Sequence, residues 1–170
     1  MLQAEQNRLF GDWMEAHKAI LFKVARAYGA THADVDDLFQ EMVLQLWHSV
    51  AAFRGDAAVT TWIYRVALNT AFAWNRRESK HHRERRDFES AASLLTAPAA
   101  RDPRLDWIYQ QISELDEVNR SLALLMLDGF SYREMAEILG LSESHVGVKI
   151  NRIKSALAAK LAKESLYESR

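Results

Sequence analysis

Residues Phe53 to Arg77 read FRGDAAVTTWIYRVALNTAFAWNRR, and this stretch decides the fold class. From about Val59 the small and apolar residues recur at helical spacing. Val59, Trp62, Ile63, Val66, Ala67 and Thr70 fall on one face and are expected to be buried, while Thr61, Arg65, Asn69, Phe72 and Arg76 share the other. A glycine turn at Gly55 precedes this helix, and Arg76 and Arg77 close it. Aromatic faces stack on unpaired bases and guanidinium groups hold phosphates, so the stretch reads as a grip on single-stranded or melting DNA. The alternative is that Trp62 and Trp74 are simply core. Trp62 fits that reading, because it lies on the apolar stripe. Asn69 and Phe72 fit it less well, because they share a face with Arg65 and Arg76.

Upstream, Phe10, Met14, His17, Leu21, Val24 and Tyr28 predict a helix over Leu9 to Tyr28, with Gly29 closing it as glycine does just past a helix end. Asp34 to Val50 repeats the pattern through Leu38, Met42, Val43, Leu46, Trp47 and Val50. Its acidic first turn (Asp34, Asp36, Asp37) suits the positive end of a helix. Downstream, residues 87–104 (DFESAASLLTAPAARDPR) are poor in bulky side chains and hold both prolines, Pro98 and Pro103, which marks an interdomain linker. Helices are expected next over Leu105 to Leu115 and Glu117 to Asp128. Ser131 and Glu134 then form a capping box ahead of Met135, Ile138 and Leu139. After the turn Gly140-Leu141-Ser142, Ser142 can cap a last helix with Val146, Ile150, Ile153, Leu157 and Leu161 at core spacing.

The segment from Phe130 to Lys154 therefore has the spacing of a helix-turn-helix, with Ala136 small where the two helices would cross. Its second helix turns Ser144, His145, Val148, Lys149 and Arg152 outward near the end that enters a major groove in such motifs. An ordinary helical hairpin with a solvated basic face has the same spacing. The fold class expected is all-α: two small helical domains, 1–87 and 105–170, joined by a flexible linker at 88–104.

Composition narrows the function classes. The chain of 170 residues has a formal net charge of −1, which argues against coating nucleic acid by bulk charge. The distribution is uneven. Arg54 to Arg86 holds eight Lys/Arg against three acids, and His145 to Lys163 holds five and none. The first fifty residues hold seven Asp/Glu against four Lys/Arg. Two basic patches beside an acidic region fit a protein with both DNA and protein partners. The absence of cysteine excludes a disulfide framework and a cysteine-based zinc site. His81 and His82 are adjacent and point apart on a helix, and His17, His32 and His48 lack partners at ligand spacing. The aspartates at 34, 36 and 37 lack the glycine of a calcium loop. No cofactor, metal or catalytic constellation is expected. With no apolar run long enough for a bilayer and no leader pattern at the N-terminus, a cytoplasmic protein without membrane insertion is expected.

The chain resembles bacterial RNA polymerase sigma factors of the extracytoplasmic-function (ECF) group, over about Leu9 to Leu161. Residues 34–42 (DVDDLFQEM) are similar to that family's acidic region 2.2. Residues 53–56 (FRGD) and 61–69 (TWIYRVALN) are similar to regions 2.3 and 2.4, and 127–140 (LDGFSYREMAEILG) to region 4.2. The resemblance implies a promoter-specificity subunit rather than an enzyme. It implies that Asp37, Gln40 and Glu41 dock on the coiled coil of the polymerase beta-prime subunit, with the beta flap as a second contact. The loop Phe53 to Ala58, with Phe53, Arg54, Gly55 and Asp56 as its site residues, would capture a flipped base of the −10 element. Asn69 and Phe72 would read or contact the unpaired strand, and Arg65, Arg76 and Arg77 would hold its phosphates. Ser144, His145, Val148, Lys149 and Arg152 would read the −35 element. A separate anti-sigma factor is the implied regulator. Two departures stand out. Leu115-Asp116 replaces the Leu-Pro of many relatives, and Val146-Gly147-Val148-Lys149 replaces the common Val-Arg-Ser-Arg. A stand-alone helix-turn-helix regulator is the competing reading; it uses only residues after Leu105 and leaves Phe53 to Arg77 unexplained.

Overall fold

The computed structural model describes residues 3–85 and 102–168, and these are helical with no strand among them. The helices are α1 (Gln3–Tyr28), α2 (His32–Ser49), α3 (Val59–Arg85), α4 (Pro103–Ser113), α5 (Glu117–Leu127), α6 (Tyr132–Leu139) and α7 (Glu143–Glu168). A single 3-10 turn, Val50–Ala52, follows α2. The chain divides into two compact units, Met1–Asp106 and Trp107–Arg170.

In the first unit α1, α2 and α3 each pack against the other two. Leu21 and Val24 from α1, Leu38, Met42 and Leu46 from α2, and Ile63, Tyr64, Ala67 and Leu68 from α3 make the core. Each of the larger side chains stabilises the unit by about 1.5–3 kcal/mol through removal from water. The start of α2 is a full capping box. Thr31 Oγ accepts from the Asp34 backbone N–H at 3.1 Å, and the Asp34 carboxylate accepts from the Thr31 N–H at 2.9 Å. Asp34 is thus the third residue of a helix that begins at His32.

Three boundaries differ from the sequence expectation. Helix α1 begins at Gln3 rather than Leu9, and its first turns are tied to α2 by Gln6, which donates to the Trp47 carbonyl at 2.9 Å, and by Asn7, which accepts from Trp47 Nε1 at 3.1 Å. Helix α3 runs on to Arg85 rather than ending near Arg77, since no glycine or proline interrupts it. The expected linker falls outside the described residues over 86–101, and its last residues, Pro103 and Arg104, open α4. Proline suits a first helical position, where its missing N–H costs nothing.

The buried face of α3 is also rotated from the expected one. Thr61, expected outside, is buried, whereas Val66 and Trp62 are only half-buried. Tyr64, Leu68 and Ala71 occupy the core instead, because the helix is covered by both α1 and α2 and its buried arc is wider than one stripe.

In the second unit α5 and α6 both pack on α7, around Leu122, Leu125, Met135, Ile138, Val146, Ile150 and Ile153. Asp116 caps α5 by accepting from the Asn119 N–H at 3.0 Å. Arg120 closes the preceding turn by donating to the carbonyls of Ser113 at 2.6 Å and Leu115 at 3.0 Å. Helix α6 carries the expected capping box and ends at Gly140 in the left-handed conformation, φ 68°. The core spacing of α7 stops at Ile153: Leu157 is half-buried and Leu161 is 58% exposed, because α5 and α6 cover only the first turns of this long helix.

Candidate functional site

In the first unit the acidic helix α2 presents Asp37 and Gln40 to solvent, with Glu41 half-buried beside them. Leu44, one turn on and 55% exposed, extends this face with an apolar side chain that sequence reasoning did not single out. Its signal was its position, i+4 from Gln40 and i+3 from Glu41.

Glu41 does not stand alone. Arg77 Nη2 donates to both of its carboxylate oxygens, at 2.6 and 2.7 Å, and the same guanidinium lies 5.9 Å from the centre of the Trp74 ring. Two residues expected at separate interfaces, one for protein and one for phosphate, are therefore joined across α2 and α3. Arg77, expected to hold a phosphate, is paired with Glu41 here.

The loop between the 3-10 turn and α3 hangs from Phe53. Its ring meets Trp13 edge-on at 5.0 Å and Trp62 at 5.5 Å, and Trp62 Nε1 donates to Ser49 Oγ at 3.1 Å. Such aromatic pairs add about 0.5–1.5 kcal/mol each beyond their burial. Phe53 is thus first an anchor. Arg54, Gly55 and Asp56 form the exposed tip, turned at Gly55 with φ 79°, a conformation that side chains rarely adopt.

Along α3, Asn69 and Arg76 are exposed and Arg65 is half-buried. Phe72 is half-buried with its ring 6.1 Å from buried Tyr28, so part of its surface is spent on packing. The exposed polar residues of the expected set are then Arg54 and Asp56 at the loop tip and, farther along α3, Asn69 and Arg76.

In the second unit the N-terminal half of α7 exposes Ser144, His145, Val148 and Arg152, with Lys149 half-buried. Ser142 holds the helix start by accepting from the His145 N–H at 3.2 Å. Val146, Ile150 and Ile153 pin the opposite face into the core. A helix held this way offers a row of polar and basic side chains with a fixed orientation, which is what reading base edges in a groove requires.

Comparison with known proteins agrees with this geometry. The Sigma-70 region 2 family matches residues 13–81 and the Sigma-70 region 4 family matches residues 105–157. The chain is 29% identical over 160 residues to RNA polymerase sigma factor NccH of Alcaligenes xylosoxydans xylosoxydans, covering 89% of this chain and 86% of that one. It is 31% identical over 141 residues to the ECF RNA polymerase sigma-E factor of Escherichia coli K12, covering 75% of this chain and 74% of that one. Among solved structures it is similar to CnrH in complex with the cytosolic domain of CnrY, with a TM-score of 0.65, 28% identity, and coverage of 92% of this chain and 90% of that one. With both matched segments on the two helical units, the chain belongs to the family of ECF RNA polymerase sigma factors.

Proposed function

We propose that this sigma factor divides its work by unit: residues 1–87 dock on core RNA polymerase and open and read the −10 element, and residues 105–170 read the −35 element. The observation that carries this reading is the arrangement in the first unit. An exposed loop tip and exposed Asn69 sit on a three-helix body whose α2 presents Asp37, Gln40 and Leu44 to a partner.

The energetics favour polar capture of the unpaired strand. Stacking one base on an aromatic contributes about 1–3 kcal/mol. Phe53 and Phe72 are both engaged by protein rings, so Arg54 and Asp56 at the exposed tip would hold a flipped base by its edge, and Asn69, farther along α3, would contact a neighbouring base. Capturing one or two bases offsets part of the cost of unstacking the duplex and biases melting to one step. Arg65 and Arg76 supply phosphate contacts.

On α2, Asp37 and Gln40 with Leu44 make a mixed acidic and apolar surface suited to a basic helical partner, the polymerase coiled coil. A separate anti-sigma factor is the matching regulator, since the similar CnrH is found with the cytosolic domain of CnrY. That likeness also favours a polymerase subunit over a stand-alone duplex-binding regulator.

Run-off transcription and core-binding titration, done side by side, test the division. Asn69→Ala should lower promoter opening at least tenfold and leave core affinity unchanged. Asp37→Arg should weaken core binding first. Equal loss of both activities in Asn69→Ala would make Asn69 structural, and unchanged core affinity in Asp37→Arg would remove α2 as the docking face.

A further inference from the structure

In the N-terminal half of α7, residues 143–155, the exposed side chains are polar except at one position. Ser144, His145 and Arg152 surround Val148, which leaves 49% of its surface open. The core face of the helix is already supplied by Val146, Ile150 and Ile153, none more than 3% exposed. Val148 is two residues beyond Val146, about 200° round the helix axis, and so points away from that core.

The neighbouring residue enlarges the apolar spot. Gly147 has no side chain, and a Cβ built there would lie 3.5 and 3.7 Å from the Tyr132 ring. Tyr132 reaches over from α6 and is itself 38% exposed. The Tyr132 ring thus lies against Gly147, the residue before Val148, and Val148 itself has Ser144, His145 and Arg152 within one turn along the helix.

A single exposed valine needs no explanation by itself. Here its place decides the matter. It sits in the N-terminal half of the second helix of a helix-turn-helix, where side chains meet base edges, and its neighbours carry the charge that suits phosphate and guanine. The major-groove edges of the four base pairs display nitrogen and oxygen donors and acceptors and only one apolar group, the C5 methyl of thymine.

We propose that Val148 contacts a thymine methyl, and so makes one position of the upstream duplex element selective for a T·A pair. This rests on the reading of α7 as the helix that recognises duplex DNA. Cytosine at that position would set its amino group against the valine without an acceptor, and a purine would set an unpaired ring nitrogen there. Burial of one methyl predicts a preference of about fourfold for thymine over the same base without it.

The test uses the full chain reconstituted with core polymerase and a duplex library randomised across the upstream promoter half. Selection should enrich thymine at one position. Replacing that thymine by deoxyuridine, which deletes only the methyl, should lower binding about fourfold there and nowhere else. Val148→Ala should lose the enrichment and become indifferent to the methyl. Alanine is the better helix former, so this variant keeps α7, as circular dichroism will report. Val148→Thr, which retains one methyl, should fall between.

An unchanged thymine preference in Val148→Ala overturns the proposal, as does equal binding of uracil and thymine at every selected position. Selection that enriches no upstream base, with initiation intact, overturns instead the reading of α7 as a recognition helix, and the proposal falls with it.

Discussion

Gly29 shows how a residue's place in a sequence can give only part of the reason for its identity. It stands just past the end of α1, as expected, but the positive-φ glycines are Gly55, Gly129 and Gly140. What Gly29 supplies is room. A Cβ there would stand 2.7 Å from Val35 Cγ2 and 2.8 Å from the Val35 backbone nitrogen, where α2 turns back against the end of α1. A side chain can rotate aside, but a backbone nitrogen inside a helix cannot. Gly29→Ala should therefore destabilise the first unit by about 1–3 kcal/mol, read as a lowered midpoint in denaturant or heat. Adding Val35→Ala should not restore it, because the backbone contact remains. Phe53 and Arg77 belong to the same scale. Each carries the expected chemistry, but packing has assigned it a protein partner as well.

At the scale of the helix, local rules were largely legible. The Ser131–Glu134 box was readable as two residue types three apart, and it is present with the Glu134 carboxylate accepting from the Ser131 N–H at 2.7 Å and the Ser131 Oγ at 2.7 Å. These bonds, the backbone one first, hold the Glu134 carboxyl below its ordinary value. A carboxylate with a lowered folded pKa adds stability above its unfolded pKa, and that stability is lost as pH falls through the ordinary glutamate range to the folded value. Glu134→Gln should thus be less stable than the parent near neutrality, and the two melting curves should converge in acid. A gap that persists below that range would mean the cap works without the charge.

Gly147 belongs to this scale too. It lies inside α7, where glycine costs about 0.8–1.0 kcal/mol relative to alanine. A Cβ there would make only ordinary contact with Tyr132. Gly147→Ala should raise the thermal midpoint of the second unit. What the helical pattern overstated was reach: Leu157 and Leu161 keep the core spacing, but the core ends before them. Periodicity records which residues share a face. It does not record how far the neighbouring helices extend.

At the scale of the molecule, each unit closes its own core. Leu21, Met42, Tyr64 and Leu68 belong to the first, and Leu122, Met135, Val146 and Ile150 to the second. Fragments 1–106 and 107–170 should each show helical circular dichroism and a cooperative melt, the shorter one at a lower midpoint because a smaller domain buries a smaller fraction of its surface. A non-cooperative melt of the shorter fragment would show that its core is insufficient alone. The amino-acid sequence by itself determined the all-α class, the caps at Ser131 and Ser142, the helix-turn-helix and the residues that carry the family, because each is written in short local spacings. Only the tertiary structure decided that Glu41 meets Arg77, that Phe53 lies between Trp13 and Trp62, and that Thr61 is inside. Those outcomes depend on how each helix is rotated about its axis, and the rotation is set by the side chains of two other helices packing against it at once.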